Sequence, residues 1–258
     1  MEDNSMSTAT LSNQQWLKIV TYLRANPGVY VGQEEKCRIF VEAVLRILRS
    51  GEQWRFLPEK YGKWNSVYKR FAGWCERGIW EQMLNHFADD PDMECLMLDG
   101  TVIRAHPCAA GAPQQRGGQE QQALGYSRGG FSTKIHIIVD ALGYPLDFVL
   151  TAGQRHESTQ AATLLQGRQC DYVIADKGYD TDALLALIEQ MGAIPVIPAR
   201  KNRLVPRYYD KHIYKERHLV ECFINKIKWF RRIFSRFDKL SSRFLGFLSF
   251  ASSLIWLR

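Results

Sequence analysis

The sequence has no paired cysteines and no apolar run at its start. Its six cysteines are scattered without a Cys-x-x-Cys pair, so neither a zinc site nor a disulfide framework is predicted. The first ten residues are polar and predict no signal peptide. The apolar stretch Leu245–Leu257 is too short to span a bilayer, so we expect a buried C-terminal helix there. Together these absences predict a cytoplasmic protein with reduced thiols and no membrane partner.

The net charge of +7 is distributed unevenly over the 258 residues. Residues 200–258 carry 15 Lys and Arg against 4 Asp and Glu, whereas the rest of the chain has a net charge of −4. A basic C-terminal segment on a nearly neutral body favours a polyanionic partner. The alternative is a basic face that is only solvated.

Glycine and proline are missing from Tyr214 to Leu240, which predicts one continuous helix. At about 100° per residue, one face is apolar and the other carries a single acid among bases. The apolar face comprises Leu219, Val220, Phe223, Ile227, Phe230, Phe234 and Phe237. The opposite face comprises Tyr214, Arg217, Glu221 and Lys228, extended by Arg232, Arg236 and Lys239. On spacing alone, a surface ion-pair ladder is the favoured interpretation of this second face.

Two short apolar runs each end in an acid. Glu94–Asp99 and Asp171–Asp176 both have the composition of buried strands that deliver a carboxylate. Strands often end in Asp before a turn, so neither run is specific by itself. Two such acids together with Glu221 can converge on a divalent cation, because Mg²⁺ takes oxygen ligands.

The spacing of Tyr214, Arg217, Glu221 and Lys228 resembles the signature of bacterial insertion-sequence DDE transposases, more narrowly the insertion-sequence-five family. The resemblance covers residues 11–258. Further segments agree with it, namely Leu98–Thr101, Ser127–His136, Ala175–Asp180 and Phe230–Leu240, with Trp54–Trp64 resembling the accessory DNA-binding region.

The resemblance implies an α/β fold, with a ribonuclease-H-like mixed-sheet catalytic domain at residues 91–258. An all-α, helix-turn-helix-like DNA-binding domain would precede it at residues 11–90. The order of the expected elements agrees, because a strand, a hairpin and then alternating helices and strands follow residue 93.

The N-terminal region is expected to contain four helices, at residues 11–25, 34–49, from Ser66, and 79–87. Lys69 and Arg70 lie early in the third helix, where a recognition helix would meet DNA. Helices and bases alone leave a plain packing domain as an equal alternative. The resemblance favours DNA binding.

Residues 106–130 contain six Gly and five Gln and almost no large apolar side chains. This composition predicts a mobile loop. Arg128 makes it a candidate DNA-contacting loop, with a flexible insertion as the alternative.

The resemblance also implies the chemistry. Asp99, Asp176 and Glu221 would be the catalytic acids and would hold Mg²⁺ or Mn²⁺, as two ions about 3.5–4 Å apart. Water would cut the DNA at the ends of the element, and the freed 3′-hydroxyl would then attack target DNA. The implied DNA-binding residues are Tyr214, Arg217, Lys228, Arg232, Arg236, Lys239, Arg128, Lys69 and Arg70.

Double-stranded DNA, as element ends and as target, is therefore the expected partner. We also expect a homo-oligomer assembled on DNA, in the bacterial cytoplasm at the nucleoid. Two other functions stay open, namely a nuclease of the same fold that never joins strands and a silent DNA-binding relic of a transposase. The intact acidic triad argues against the relic.

Overall fold

The computed structural model describes residues 10–203 and 207–258, and the chain divides into two compact units. One unit combines the described residues up to Phe87 with Ile227–Arg258, and the other is Ala88–Lys226. In chain order the helices of the described residues are α1 (Asn13–Ala25), α2 (Glu34–Ser50), α3 (Trp64–Glu76), α4 (Ile79–Phe87), α5 (Ala161–Leu165), α6 (Asp182–Gln190), α7 (His218–Lys228), α8 (Arg231–Phe234) and α9 (Ser241–Trp256). The strands are β1 (Cys95–Arg104), β2 (Gly125–Ser127), β3 (Gly130–Val139), β4 (Pro145–Ala152), β5 (Tyr172–Ala175) and β6 (Ile194–Val196).

The all-helical N-terminal region is confirmed, and its first two helices have clear local signals. Ser12 caps α1 by accepting a hydrogen bond from the Gln15 backbone N–H at 3.1 Å, while the Gln15 side chain accepts one from the Ser12 N–H. Helix α2 ends at Gly51, which adopts a left-handed φ of 69° that suits glycine. Helix α3 begins at Trp64, so the expected start at Ser66 is two residues too late.

Helix α9 is buried along most of its length, as its apolar composition predicts. Within the first unit, the Phe247 ring lies 4.4 Å from that of Phe71, and the Phe250 ring lies 4.7 Å from that of Trp80. Gly246 allows this close approach, because a Cβ there would lie 2.6 Å from the Cys75 sulfur. The C-terminal helix therefore completes the core of the N-terminal helices. For this reason the two packing units do not coincide with the expected domains at residues 11–90 and 91–258.

The prediction of one helix from Tyr214 to Leu240 is wrong. Residues Ile213–Arg217 form a 3₁₀ turn, α7 ends at Lys228, and Phe230 has an extended backbone before the single-turn α8. Because the chain changes direction twice, a single helical wheel does not apply beyond Lys228. Phe234, expected in the core, is consequently 58 % exposed.

Arg232 and Arg236, expected on a DNA-facing surface, are buried in the first unit. Arg232 donates to the Asp238 carboxylate, with 2.9 Å between Nη2 and Oδ1. Arg236 donates to the backbone carbonyls of Asp238 at 2.9 Å and Lys239 at 3.2 Å, and burial lowers its pKa to about 10. These guanidinium groups stabilise the turn between α8 and α9. The prediction that Arg232 and Arg236 lie on a DNA-binding face is therefore wrong.

In the second unit, the strand order is β2–β3–β1–β5–β6, with β4 also paired to β3. Strands β1, β3 and β4 are antiparallel, whereas β1, β5 and β6 are parallel. This mixed sheet confirms the expected ribonuclease-H-like topology. Strand β1 is central, and Leu96–Leu98 are fully buried.

The stretch 106–130 is more structured than its composition predicts. It contains β2 and three 3₁₀ turns, at Pro107–Ala109, Gln114–Arg116 and Glu120–Gln122. Ala109 and Leu124 pack against Ala105, which follows the last residue of β1, and all three are buried. This small apolar cluster holds the segment in place and was not expected from its composition. None of the helices in the described residues has the length and apolar content needed to cross a membrane.

Removing the buried Arg232 guanidinium should destabilise the chain. Arg232→Ala leaves Asp238 buried without its partner, which costs about 3–5 kcal/mol. Lys239→Ala, at an exposed neighbour, is the control and should change the free energy of unfolding by less than about 0.5 kcal/mol. Urea unfolding of the full chain measures both. If Arg232→Ala weakens DNA binding at unchanged stability, Arg232 faces DNA after all.

Candidate active site

Asp99 and Asp176 lie side by side because of the parallel pairing of β1 with β5. Leu98 pairs with Ala175, and the two aspartates are the next residues on these strands. Asp176 follows the last residue of β5, as expected. Asp99 lies inside β1, because β1 continues beyond β5 through its pairing with β3 as far as Arg104. The sheet register therefore brings together two acids that are 77 positions apart in the sequence.

A backbone N–H orients each aspartate. The Gly100 N–H donates to Asp99 Oδ1 at 2.7 Å, and the Gly178 N–H donates to Asp176 Oδ1 at 2.7 Å. Asp176 caps the 3₁₀ turn Lys177–Tyr179, which is how the chain leaves the strand. Each carboxylate consequently keeps its second oxygen for other partners.

Arg217 connects the first and third acids. Its Nη1 lies 3.3 Å from Asp99 Oδ2, and its Nη2 donates to Glu221 Oε1. Arg217 ends the 3₁₀ turn before α7, and Glu221 lies one turn later on that helix, with its side chain 50 % exposed. The ion-pair alternative is thus partly correct, but the pair extends to the aspartate on β1.

Burial raises the pKa of Asp99 to about 6, even though the Gly100 N–H and Arg217 both favour its charged form. The neighbouring Asp176 and Glu157 carboxylates raise this pKa further. A buried carboxylate between two others is poorly stabilised by one arginine. The site therefore favours additional positive charge next to Asp99.

Glu157 and Tyr179 also lie near the two aspartates, and Lys134 pairs with Glu157; the sequence predicted a site role for none of the three. Glu157 begins a 3₁₀ turn after β4, and Lys134 on β3 lies 3.3 Å from its Oε1. The Tyr179 side chain is buried just after Asp176. The sheet and the turn after β4 bring these residues together from distant parts of the chain. Their spacing in the sequence therefore gives no sign that they are neighbours.

Arg200 is a further residue that the sequence did not indicate. It follows β6, and its guanidinium donates to the Gly178 carbonyl at 2.6 Å and to the Lys177 carbonyl at 3.2 Å. Its backbone N–H donates to Asp180 Oδ2 at 2.8 Å. Arg200 thereby braces the turn that presents Asp176.

Two histidines near the acidic strands act as hydrogen-bonding supports. His136 is fully buried on β3, with its Nε2 2.7 Å from Thr151 Oγ1, and burial lowers its pKa to about 4. His156 caps the 3₁₀ turn that begins at Glu157.

The structure brings only part of the expected DNA-binding set to the acids. The Arg217 guanidinium lies 5.9 Å from the Tyr214 ring centroid, so Tyr214 borders the site. Arg128 is exposed at the turn between β2 and β3, and Lys228 is half-buried in the last turn of α7.

Lys69 and Arg70 differ although they are adjacent on α3. Lys69 is exposed, whereas the Arg70 guanidinium lies over the Phe40 ring at 4.3 Å and donates to the Tyr30 carbonyl. Arg70 therefore has a packing role within the first unit, and Lys69 is the better placed of the two for a polyanion.

No group of three or more His, Cys, Asp or Glu residues is close enough to hold a metal ion within residues 10–203 and 207–258. Glu221 is held by Arg217, so the third acid of the expected triad is not beside the aspartates as a ligand. The donors around Asp99 are nevertheless carboxylate oxygens, and the buried Tyr179 hydroxyl there has no hydrogen-bond partner in the described part of the chain. This donor chemistry fits a hard divalent cation.

Comparison with known proteins identifies the family. Residues 90–253 match the model described as "Transposase DDE domain", and residues 11–84 match "Putative transposase of IS4/5 family". The chain belongs to the DDE transposase family. It is therefore a DNA-cleaving and strand-transfer enzyme, and DNA is its partner. DDE transposase domains generally depend on divalent metal ions.

Individual relatives agree with this assignment. The putative transposase for insertion sequence element IS6501 of Brucella ovis is 43 % identical over 132 residues, which are 49 % of this chain and 99 % of the relative. The putative transposase for IS402 of Burkholderia cepacia is 27 % identical over 135 residues, covering 48 % of this chain and 62 % of the relative.

Solved structures of transposases are more distant. The piggyBac transposase synaptic complex with hairpin DNA has a TM-score of 0.43 and 11 % identity, covering 78 % of this chain and 52 % of that chain. The pre-cleavage Mos1 transpososome has a TM-score of 0.28 and 11 % identity, covering 84 % and 77 %. Likenesses this weak carry no argument about the site.

The raised pKa of Asp99 predicts that the metal-free transposase becomes less stable as the pH rises. The unfolded chain ionises near the ordinary value of 3.8 and the folded chain near 6, so stability is lost as the pH rises through this interval. Asp99→Asn avoids that loss and should be more stable than the wild type at pH 7.5 by roughly 2–3 kcal/mol. The gain should disappear below about pH 4.

Urea unfolding of both proteins in the presence of a chelator, at pH 7.5 and again below about pH 4, measures this difference in stability. Comparing the two pH values removes any pH-independent effect of the substitution. A gain that is equal at both would show that the Asp99 carboxylate is not destabilised by its burial.

Proposed function

We propose that this transposase binds the inverted-repeat ends of an insertion sequence and cleaves and transfers them with Asp99, Asp176 and Glu221. The observation that supports it is the register of β1 and β5, which makes two acids neighbours, with Arg217 connecting the first of them to the third. The cleaved ends would then be joined to target DNA, which distinguishes a transposase from a nuclease of the same fold.

In this proposal Asp99, Asp176 and Glu221 are the metal-binding acids. Mg²⁺ or Mn²⁺, as two ions, would activate the attacking oxygen and stabilise the leaving oxygen of the phosphodiester. The Gly100 and Gly178 N–H groups each hold one oxygen of the two aspartates, and the second oxygen of Asp99 pairs with Arg217. Glu221 would join the aspartates by leaving Arg217, which its exposed position on α7 permits.

Arg217 and Tyr214 are suited to hold the DNA strand. Once a phosphate replaces the carboxylates as its partner, the planar guanidinium of Arg217 can bind two phosphate oxygens at once. Tyr214 packs edge-on against Tyr209, with 5.4 Å between ring centroids, and offers a ring face to a base or sugar. Both residues then orient the scissile phosphate, and Lys228, in the last turn of α7, offers a further positive charge to DNA.

We further propose that the helical region of residues 11–90 recognises the element ends and that residues 91–258 supply catalysis. Lys69, Arg128 and Lys239 are exposed and can neutralise phosphates. Arg232 and Arg236 are buried and therefore lie outside this DNA-binding set. The complex would be a homo-oligomer on double-stranded DNA, and because the matched relatives are bacterial, we expect it to form at the nucleoid in the cytoplasm.

The proposed triad predicts separate effects on cleavage and binding. Asp99→Asn, Asp176→Asn and Glu221→Gln should each lower Mg²⁺-dependent cleavage of an element end by at least about a thousandfold, because a metal-binding oxygen is lost. Affinity for the same DNA should change little. Single-turnover cleavage at saturating DNA, with binding measured separately, tests this prediction.

Glu216→Gln is the matched control, because Glu216 is an exposed acid next to Arg217 and should retain cleavage. Near-native cleavage by any of the three variants would remove that residue from the site. Cleavage without joining to target DNA would favour the nuclease.

Lys69 and Arg70 should respond differently to substitution. Lys69→Ala should lower the slope of log affinity against log salt by about one, because one phosphate contact is lost. Arg70→Ala should instead lower the melting temperature, because the ring contacts with Phe40 and Trp74 are lost. Lys36→Ala, at an exposed position on α2, is the control for a nonspecific loss of charge. Equal slopes for the wild type and Lys69→Ala would exclude Lys69 from the DNA interface.

A further inference from the structure

The Arg200 guanidinium meets no carboxylate at ion-pair distance in the described part of the chain. It donates instead to the backbone carbonyls of Gly178 and Lys177, at 2.6 Å and 3.2 Å. Asp180 is close, but its Oδ2 accepts from the Arg200 backbone N–H at 2.8 Å and from Arg203 at 2.6 Å. The two carbonyls fix the guanidinium in place, yet they leave its charge unpaired and several of its N–H donors unused.

His156 presents a second donor at the same place. Its Nδ1 accepts a hydrogen bond from the Ser158 backbone N–H at 3.4 Å, and the Ser158 hydroxyl lies 2.9 Å away. A neutral ring accepts at one nitrogen and donates at the other, so the backbone bond assigns the proton to Nε2. This Nε2 lies 3.5 Å from Arg200 Nη2. Two donors cannot hydrogen-bond to each other, so they converge as an acceptor or anion requires.

The pair of Arg200 and His156 lies next to the turn that presents Asp176. Gly178 connects the two, because its N–H donates to Asp176 Oδ1 at 2.7 Å and its carbonyl accepts from Arg200. Arg200 is half-buried and His156 is exposed, so the pair is accessible from solvent. DNA carries a negative charge on every phosphate of its backbone. A phosphate that meets this pair is therefore close to Asp176.

We propose that Arg200 and His156 form a phosphate-binding subsite that holds the DNA backbone beside the cleavage site. This inference rests on the proposed function of Asp176. The guanidinium and the Nε2–H both donate to the non-bridging oxygens of one phosphodiester, so the contact is independent of base sequence. Arg217, which pairs with the other two acids, is then left for the scissile phosphate.

DNA with single uncharged phosphates tests the subsite. Each phosphate around the cut in an element end is replaced, one at a time, by a methylphosphonate, and affinity is measured in a chelator so that nothing is cleaved. At one position the wild type should lose about tenfold in affinity, because a charged contact is gone. Arg200→Met should lose about tenfold on unmodified DNA and nothing further at that position. A purely structural effect of Arg200→Met would not depend on which phosphate is neutral.

His156→Asn keeps the cap, because an asparagine side chain also accepts from the backbone N–H, but it removes the Nε2 donor. It should reduce the effect of the same methylphosphonate by about threefold, since a neutral donor contributes less than a charged one. Arg168→Met is the matched control. The Arg168 guanidinium also donates to a backbone carbonyl, that of Leu164 at 3.0 Å, but it pairs with Asp147. This variant should keep the wild-type response at every position.

Two results would overturn the proposal in different ways. If Arg200→Met and His156→Asn both respond to every methylphosphonate as the wild type does, Arg200 only braces the turn, and the proposed function stands. His156→Asn alone decides this point if the melting temperature shows that Arg200→Met is unfolded. If the wild type binds an element end no better than a random duplex, the proposed function fails, and the subsite fails with it.

Discussion

The parallel pairing of β1 with β5 is the constraint on which the site depends. It places Asp99 and Asp176 side by side at the centre of a buried sheet, where two carboxylates repel each other and are poorly solvated. Backbone N–H groups from Gly100 and Gly178 offset part of this cost, and Arg217 offsets another part. The pKa of Asp99 nevertheless stays near 6. The fold therefore holds the Asp99 carboxylate where its negative charge is unfavourable without a partner. A cation beside it would remove that cost.

Arg217 has a central electrostatic position in this arrangement. It pairs with acids from two different elements, the strand β1 and the helix α7, and so connects the sheet to the helix that carries Glu221. An arginine suits this role because its planar group offers several donors and stays charged. The same donors suit a phosphate, so one side chain can stabilise the free site and later bind the substrate of a transposase.

The C-terminal segment shows how tertiary packing overrides a helical pattern. An apolar stripe and a basic stripe run from Tyr214 to Leu240 in the sequence, and a wheel cannot reveal that the chain turns at Phe230 and again at Ser235. The turn is stabilised by burying Phe230 and Ile233 and by pairing Arg232 with Asp238 six positions later. Basic residues that look like a DNA-facing row are thus divided between the protein interior and its surface.

The sequence by itself determined the family, the mixed sheet and the N-terminal helices, and it proposed three candidate acids, because these inferences depend on local periodicity and on fixed motif spacing. Only the tertiary structure decided which neighbours those acids have. Glu157 lies beside the glycines that follow the two aspartates, Lys134 pairs with Glu157, and Arg200 braces the turn after Asp176. Such contacts leave no periodic signal, since their geometry is set by sheet register and by the space that two glycines leave open.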